Sequence, residues 1–186
     1  MLGFAFCGSF CSFKDCLLQL DALIEAGYDI VPIMSENAYG TDTRFFAARD
    51  FVKTVEEKCG RRAVHTIAEA EKFGKNRLDA LIISPCTGNT LAKMAAGITD
   101  TAVTMAAKAH LRQDGKLLIA LASNDAMSQN LKNIAALLTR KSVFFLPMRQ
   151  DNPEEKPHSL VADFTLLPKA LSAMKRDIQI RPIFLQ

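Results

Sequence analysis

The sequence predicts an α/β fold: a single-domain, doubly wound parallel sheet of the Rossmann-like type with about six strands. Short apolar runs alternate with longer amphipathic ones from end to end. Two of the runs, Leu78–Ser84 (LDALIIS) and Lys116–Ala122 (KLLIALA), are apolar on both faces, as strands sandwiched between helical layers must be. The chain has 186 residues, 49% of them hydrophobic, enough for one core without staples. One domain is therefore expected over 1–186, its core at about 2–146 and a proline loop, closing helix and tail over 147–186.

The elements follow in order. Leu2–Cys7 reads as a buried strand ending in a Gly-Ser turn. In Phe13–Ala26, Cys16, Leu17, Leu20, Leu23 and Ile24 recur at helical spacing, with Gly27 as C-cap. Asp29–Met34 is a second strand and Thr43–Lys58 a second helix closed by Gly60. Ala63–Thr66 is a weak strand and Ile67–Phe73 a short charged helix. After the Leu78–Ser84 strand, Thr90–Ala96 and Ala102–Leu111 read as helices. Lys116–Ala122 is the next strand, Ala126–Thr139 a helix and Ser142–Leu146 a last strand. Pro147–Pro157, with three prolines and several charges, is a loop, and Leu160–Lys175 a closing helix.

Composition removes several classes of function. With 23 basic and 20 acidic residues the formal net charge is +3, too balanced for a nucleic-acid surface. No stretch is long and apolar enough for a membrane helix, and the N-terminal MLGFAFCGSF lacks the basic start of a signal peptide. Five cysteines, an odd number without a CxxC pair, read as reduced thiols, so a cytoplasmic protein is expected. The spacing of Cys7, Cys11 and Cys16 fits no metal motif, and no metal is expected.

In a doubly wound sheet, ligands sit outside the carboxyl ends of the strands, and the polar residues concentrate there. After the first strand come Cys7-Gly8-Ser9-Phe10-Cys11-Ser12. They suit either a phosphate cradle at a helix start or an ordinary strand-to-helix turn with a Ser N-cap. Neither GxGxxG nor a P-loop is present. Ser35, at the end of the second strand, either donates to the same phosphate or caps a helix. Ser84-Pro85-Cys86-Thr87-Gly88-Asn89-Thr90 is too long a run of small and polar residues for a turn alone and reads as a ligand loop. Ser123-Asn124-Asp125 either caps a helix or offers the Asn124 amide to a flat heterocycle. Asp42 and Arg44 form a helix cap with a planar cation or, more plainly, a solvated ion pair. His65, His110 and His158 fit surface or packed positions, and no Ser-His-Asp set can be assembled.

These loops resemble the flavoprotein superfamily of flavin-dependent cysteine decarboxylases and flavin prenyltransferases. The resemblance rests on Gly8-Ser9, on Ser35, and on Ser84–Thr90, which looks like the family's Pro-x-(Ser/Thr)-x-Asn-Thr loop. Ser123-Asn124-Asp125-Ala126-Met127 is similar to its Pro-Ala-Met-Asn-x-x-Met segment, without the proline before the asparagine. Ser9-x-Cys11, Thr41–Phe45, Thr87-Gly88-Asn89, Met105–Ala109, Val143–Pro147 and Gln150–Pro153 through Ser159 resemble a narrower branch. That branch supplies one component of a two-component synthase that makes a pyridine dicarboxylate in spore formers.

The resemblance implies FMN as cofactor, with Gly8, Ser9, Cys11, Ser35, Ser84, Pro85, Cys86, Thr87, Gly88, Asn89, Thr90, Ser123 and Asn124 around it. It implies a dihydropyridine dicarboxylate substrate, a separate partner protein that binds NADPH, and a homo-oligomer (trimer or dodecamer) with Met94–Ala109 as candidate contact. Asn124 and Arg44 are the candidate catalytic residues, with Arg44, ahead of Lys93 and Lys108, expected to clamp a carboxylate. The family's decarboxylases carry a histidine after the second strand, and Asn37–Phe51 has none, which disfavours cysteine decarboxylation. The alternatives are a decarboxylase or prenyltransferase of the same superfamily, and a non-catalytic partner of the NADPH-binding protein.

Overall fold

The computed structural model describes residues 1–186. Four central strands are parallel: β1 (Leu2–Phe6), β2 (Ile30–Met34), β3 (Ala80–Cys86) and β4 (Leu117–Ser123), in the order β2-β1-β3-β4. Phe4 pairs with Pro32 on one side and Ile82 on the other, and Ile82 with Leu118. β5 (Val143–Phe145) runs parallel to the start of β4. The last two residues of β4 instead pair antiparallel with β7 (Leu160–Ala162), which pairs with β6 (Met148–Arg149).

The expected doubly wound sheet is present, with seven strands and an antiparallel hairpin at its far edge. Alternate side chains of each strand enter opposite cores. On one face Phe4, Phe6, Ile82, Leu118 and Ala120 pack with α1 (Phe13–Glu25), α3 (Ala48–Cys59) and α8 (Leu167–Lys175). On the other, Ala5, Cys7, Leu81, Ile83, Ile119 and Leu121 pack with α5 (Gly88–Ala96), α6 (Ala102–Leu111) and α7 (Leu131–Leu138). An aromatic knot locks the first face: Phe13 stacks on Phe51 with centroids 4.1 Å apart, and Phe6 meets Phe51 edge-on at 5.3 Å.

Four expectations change. The helix expected over Thr43–Lys58 begins only at Ala48, as α3, and a short unexpected helix, α2 (Glu36–Gly40), precedes it across an irregular loop. Thr43 Oγ1 accepts from the Phe45 and Phe46 amides, a local turn that competes with the helix, and Asp42 caps α3 by accepting from Ala48 N–H at 2.8 Å. Ala63–Thr66 contributes only a bridge, Val64 beside Ile33. The helix expected from Ala126 begins at Leu131, because the preceding turns are organised around Asp125. Leu160–Ala162 is strand, and the closing helix starts only at Leu167, next to Pro168.

The expected C-caps are in place: Gly27 and Gly60 adopt φ of +82° and +64°. α4 (Ile67–Glu71) carries a full capping box between Thr66 and Glu69. No helix is long and apolar enough to cross a membrane. Met94–Ala109, the expected contact between copies, divides: Val103, Thr104, Ala106, Ala107 and Ala109 are buried within the chain, whereas Ala96, Gly97, Ile98, Asp100 and Lys108 are exposed.

Candidate functional site

The strand order reverses between β1 and β3, because the chain leaves β1 for β2 on one side and crosses back to β3 on the other. At such a switch the connecting loops part and leave a crevice at the carboxyl ends. A cavity of about 490 Å³ lies there. The first loop (Gly8–Ser12), the α2–α3 loop (Arg44, Phe45), Thr87-Gly88, and Ala122–Asn124 line it, with Asp151, Lys156 and Val161 from the β6–β7 hairpin.

In the first loop the amides of Gly8, Phe10 and Cys11 donate to no acceptor within the chain. Ser12 occupies the N-cap of α1 without a side-chain bond to the helix, and its hydroxyl lies 3.3 Å from that of Ser9. The Ser N-cap role is therefore not taken up: the two hydroxyls face each other beside the Cys11 thiol, and the three amides remain available to a ligand. Beyond them α1 contributes the positive end of its dipole. A Cβ on Gly8 would stand 3.2 Å from Asn37 Cβ, so the loop lies close against the start of α2.

Thr87 caps α5, its Oγ1 accepting from Thr90 N–H at 3.2 Å. Thr90 Oγ1 donates to Cys7 Sγ at 3.4 Å, tying the ends of β1 and β3 together beneath the crevice. Burial pushes the Cys7 thiol up to about 11, against smaller opposing hydrogen bonds from Thr90 and Thr87. Cys86 is wholly buried, and burial raises its thiol well above the ordinary value.

Ser123 hydroxyl and Asn130 Nδ2 both donate to the Asp125 carboxylate. The Ser123 bond chiefly, with Asn130 adding to it, holds the Asp125 carboxyl below its usual range despite partial burial. This group closes directly over Gly88, where a Cβ would collide with Ser123 Oγ and fall 2.7 Å from Asn130 Nδ2. A side chain at that position would have to displace these hydrogen-bonded groups. Asn124, the middle residue of the turn, is exposed, and its amide makes no hydrogen bond within the chain.

Of the residues singled out in the sequence, Gly8, Ser9, Cys11, Thr87, Gly88, Ser123, Asn124 and Arg44 come together around this cavity. The others are not among its lining residues. Ser84 is fully buried with its hydroxyl 3.3 Å from Cys16 Sγ, and Ser35 caps α2 by accepting from Ala38 N–H. Pro85, which follows a cis peptide bond, Asn89 and the buried Thr90 are not among the lining residues. Lys93 is paired with Asp100 at 2.9 Å and Lys108 lines a different cavity, so neither reaches the crevice. His65 stacks on Tyr39 with centroids 3.9 Å apart, and His110 is buried under Gly115.

Sequence reasoning gave no site role to Asp151 and Lys156, which reach the crevice from the proline loop. Their signal was the charge cluster between Pro147 and Pro157. A second cavity of about 680 Å³ adjoins the first and shares Cys11, Ser12, Asp151, Lys156 and Val161 with it.

The crevice suits a flat ring with an anionic tail. Unspent amides stand at one end beside the Ser9 hydroxyl, and Thr87, Ser123 and Asn124 line the wall opposite. A family model described as Flavoprotein matches residues 1–165. A dipicolinate synthase subunit of Bacillus subtilis (strain 168) is 36% identical over all 186 residues, which span 93% of that protein. The crystal structure of the corresponding dipicolinate synthase subunit from Bacillus halodurans superposes with a TM-score of 0.91 at 35% identity, covering 100% of this chain and 95% of that one. A dodecameric FMN-dependent UbiX-like decarboxylase from Escherichia coli O157:H7 matches at TM-score 0.63 and 25% identity, over 79% of this chain and 80% of the other.

Proposed function

We propose that this chain, which belongs to the flavoprotein family, is the FMN-binding component of a dipicolinate synthase. With a separate NADPH-binding partner protein of the same synthase it forms pyridine-2,6-dicarboxylate from dihydrodipicolinate, in the cytoplasm of a sporulating cell and as a homo-oligomer. One observation carries the reading. A crevice built for a flat, anionic-tailed ligand lies at the strand-order switch of a chain 36% identical, end to end, to a dipicolinate synthase subunit.

In this reading the Gly8, Phe10 and Cys11 amides and the Ser9 hydroxyl hold the phosphate at the start of α1. Ser35, Ser84, Pro85, Cys86 and Thr90, buried beneath the loops, brace them, and exposed Asn89 lies at the start of α5 beside them. Thr87, Gly88, Ser123 and Asn124 lie along the ring, where Asn124 both donates and accepts. A bound flavin supplies a hydride acceptor for aromatising the dihydropyridine. Arg44 offers a two-pronged donor to one substrate carboxylate and fixes the orientation of the ring carbon that loses hydride.

The test is direct. The purified protein should take up FMN with a shift of the flavin bands, and anaerobic dihydrodipicolinate should bleach them. Arg44→Gln should leave FMN uptake unchanged and slow the bleaching about tenfold or more, the loss expected for one charge-assisted contact. A protein that ignores FMN yet is required for the activity of the NADPH-binding protein would be a non-catalytic partner.

A further inference from the structure

Two cations face the crevice, Arg44 and Lys156, and their circumstances differ. Arg44 has no carboxylate partner and lies over the Phe45 ring, 4.9 Å from its centroid. Lys156 Nζ donates to Asp151 Oδ2 at 2.6 Å, and Asp151 makes no other side-chain bond. Lys156 and Asp151 both project from the β6–β7 hairpin at the point where the two cavities meet.

The neighbouring pair shows what a fixed ion pair looks like here. Asp163 accepts from Arg149, from Thr165 N–H and from Thr165 Oγ1, and its side chain is only 18% exposed. Asp151 has one partner and is 40% exposed, while Lys156 is 46% exposed. An exposed pair of this kind gains little over solvated ions, so one carboxylate can replace another at small cost. The loop holding the pair is itself ordered. Gln150 Nε2 donates to Pro157 O at 3.1 Å, Lys156 N–H to Asn152 O at 2.7 Å, and Met127 N–H to His158 O at 2.9 Å.

We infer that Lys156 is a second carboxylate-binding residue of this crevice and that Asp151 holds its place until a ligand carboxylate displaces it, so that the site selects dicarboxylates. The inference rests on the reading of the substrate as a dicarboxylate. A monocarboxylate needs only Arg44 and leaves the Lys156–Asp151 pair intact. A dicarboxylate engages both cations, with Lys156 meeting it from the ordered hairpin.

The test is calorimetric titration of pyridine-2,6-dicarboxylate and of pyridine-2-carboxylate into FMN-loaded and flavin-free protein. Lys156→Gln should weaken the dicarboxylate about tenfold and leave the monocarboxylate unchanged, with Lys156→Arg restoring most of the loss. Asp151→Asn, which removes the placeholder, should tighten the dicarboxylate about threefold. An equal loss for both ligands, a loss confined to FMN, or no dicarboxylate binding to the wild type overturns the inference. Failure of FMN to bind refutes the flavin reading alone, because the flavin-free titration still reads Lys156.

Discussion

Asn130 Nδ2 stands 2.9 and 2.8 Å from the two carboxylate oxygens of Asp125, bridging them from one side while the Ser123 hydroxyl donates from another. The carboxylate thus organises a turn rather than a helix start, and it carries Asn124 to the crevice with an unspent amide. The arrangement has no room for a side chain beneath it.

Gly88→Ala should therefore break this group rather than merely crowd it. The new methyl meets Ser123, Asn130 and Asp125 within 2.7 Å, and none of the three can withdraw without losing its hydrogen bonds. We expect FMN affinity to fall at least about tenfold, with a loss of stability of about 1–3 kcal/mol from overpacking. Fluorescence titration and urea unfolding measure the two effects separately.

Phe51→Ala probes the first core independently of the site. Phe51 is buried, stacked on Phe13 and edge-on to Phe6, so truncation removes packing on both of those rings at once. The expected cost is about 3–5 kcal/mol. It should appear as a lower denaturation midpoint with unchanged slope.

His110 makes stability depend on pH. Its ring is buried, with Nε2 donating to the Lys116 carbonyl at 3.0 Å, and burial lowers its pKa despite that bond. The unfolded chain then binds the proton more readily than the folded one. This contribution is complete above the ordinary histidine value of about 6.5 and is lost as pH falls through the folded value. Denaturant midpoints should drop between neutral pH and pH 5, and His110→Gln should flatten that drop.

Thiol labelling should be sharply graded. Cys11 is exposed and lines both cavities, whereas Cys7, Cys16 and Cys86 are buried with thiols raised by desolvation, and Cys59 is half-buried with its thiol pushed up to about 11. One equivalent of iodoacetamide should react quickly, at Cys11 by peptide mapping. Saturating FMN should protect it.

The parallel sheet was legible because β3 and β4 are apolar on both faces, a pattern that few other arrangements tolerate. The glycine caps were legible for the same local reason. The α2–α3 break was not, because Thr43 diverts the backbone through hydroxyl contacts that leave no mark on hydrophobic periodicity. That break is what brings Arg44 to the crevice. The hairpin was hidden because β6 and β7 are too short for alternation to register, although Pro168 marked the true start of α8. At the site, residue type pointed to Ser84 and Cys86, but β3 is buried along its whole length and only Thr87 and Gly88, beyond its end, line the crevice. Ser84 and Cys86 are both wholly enclosed by the chain.

The strand β4 serves two neighbours in succession, β5 along its first residues and β7 along its last two. The final stretch of chain is thereby sewn to the strand end that bears Ser123, and Leu185 N–H returns to Met148 O to finish the seam. Cutting the chain after Leu146 would do more than shorten it: Ala122 and Ser123 would become a raw selvedge, and the crevice would lose the wall that carries Lys156.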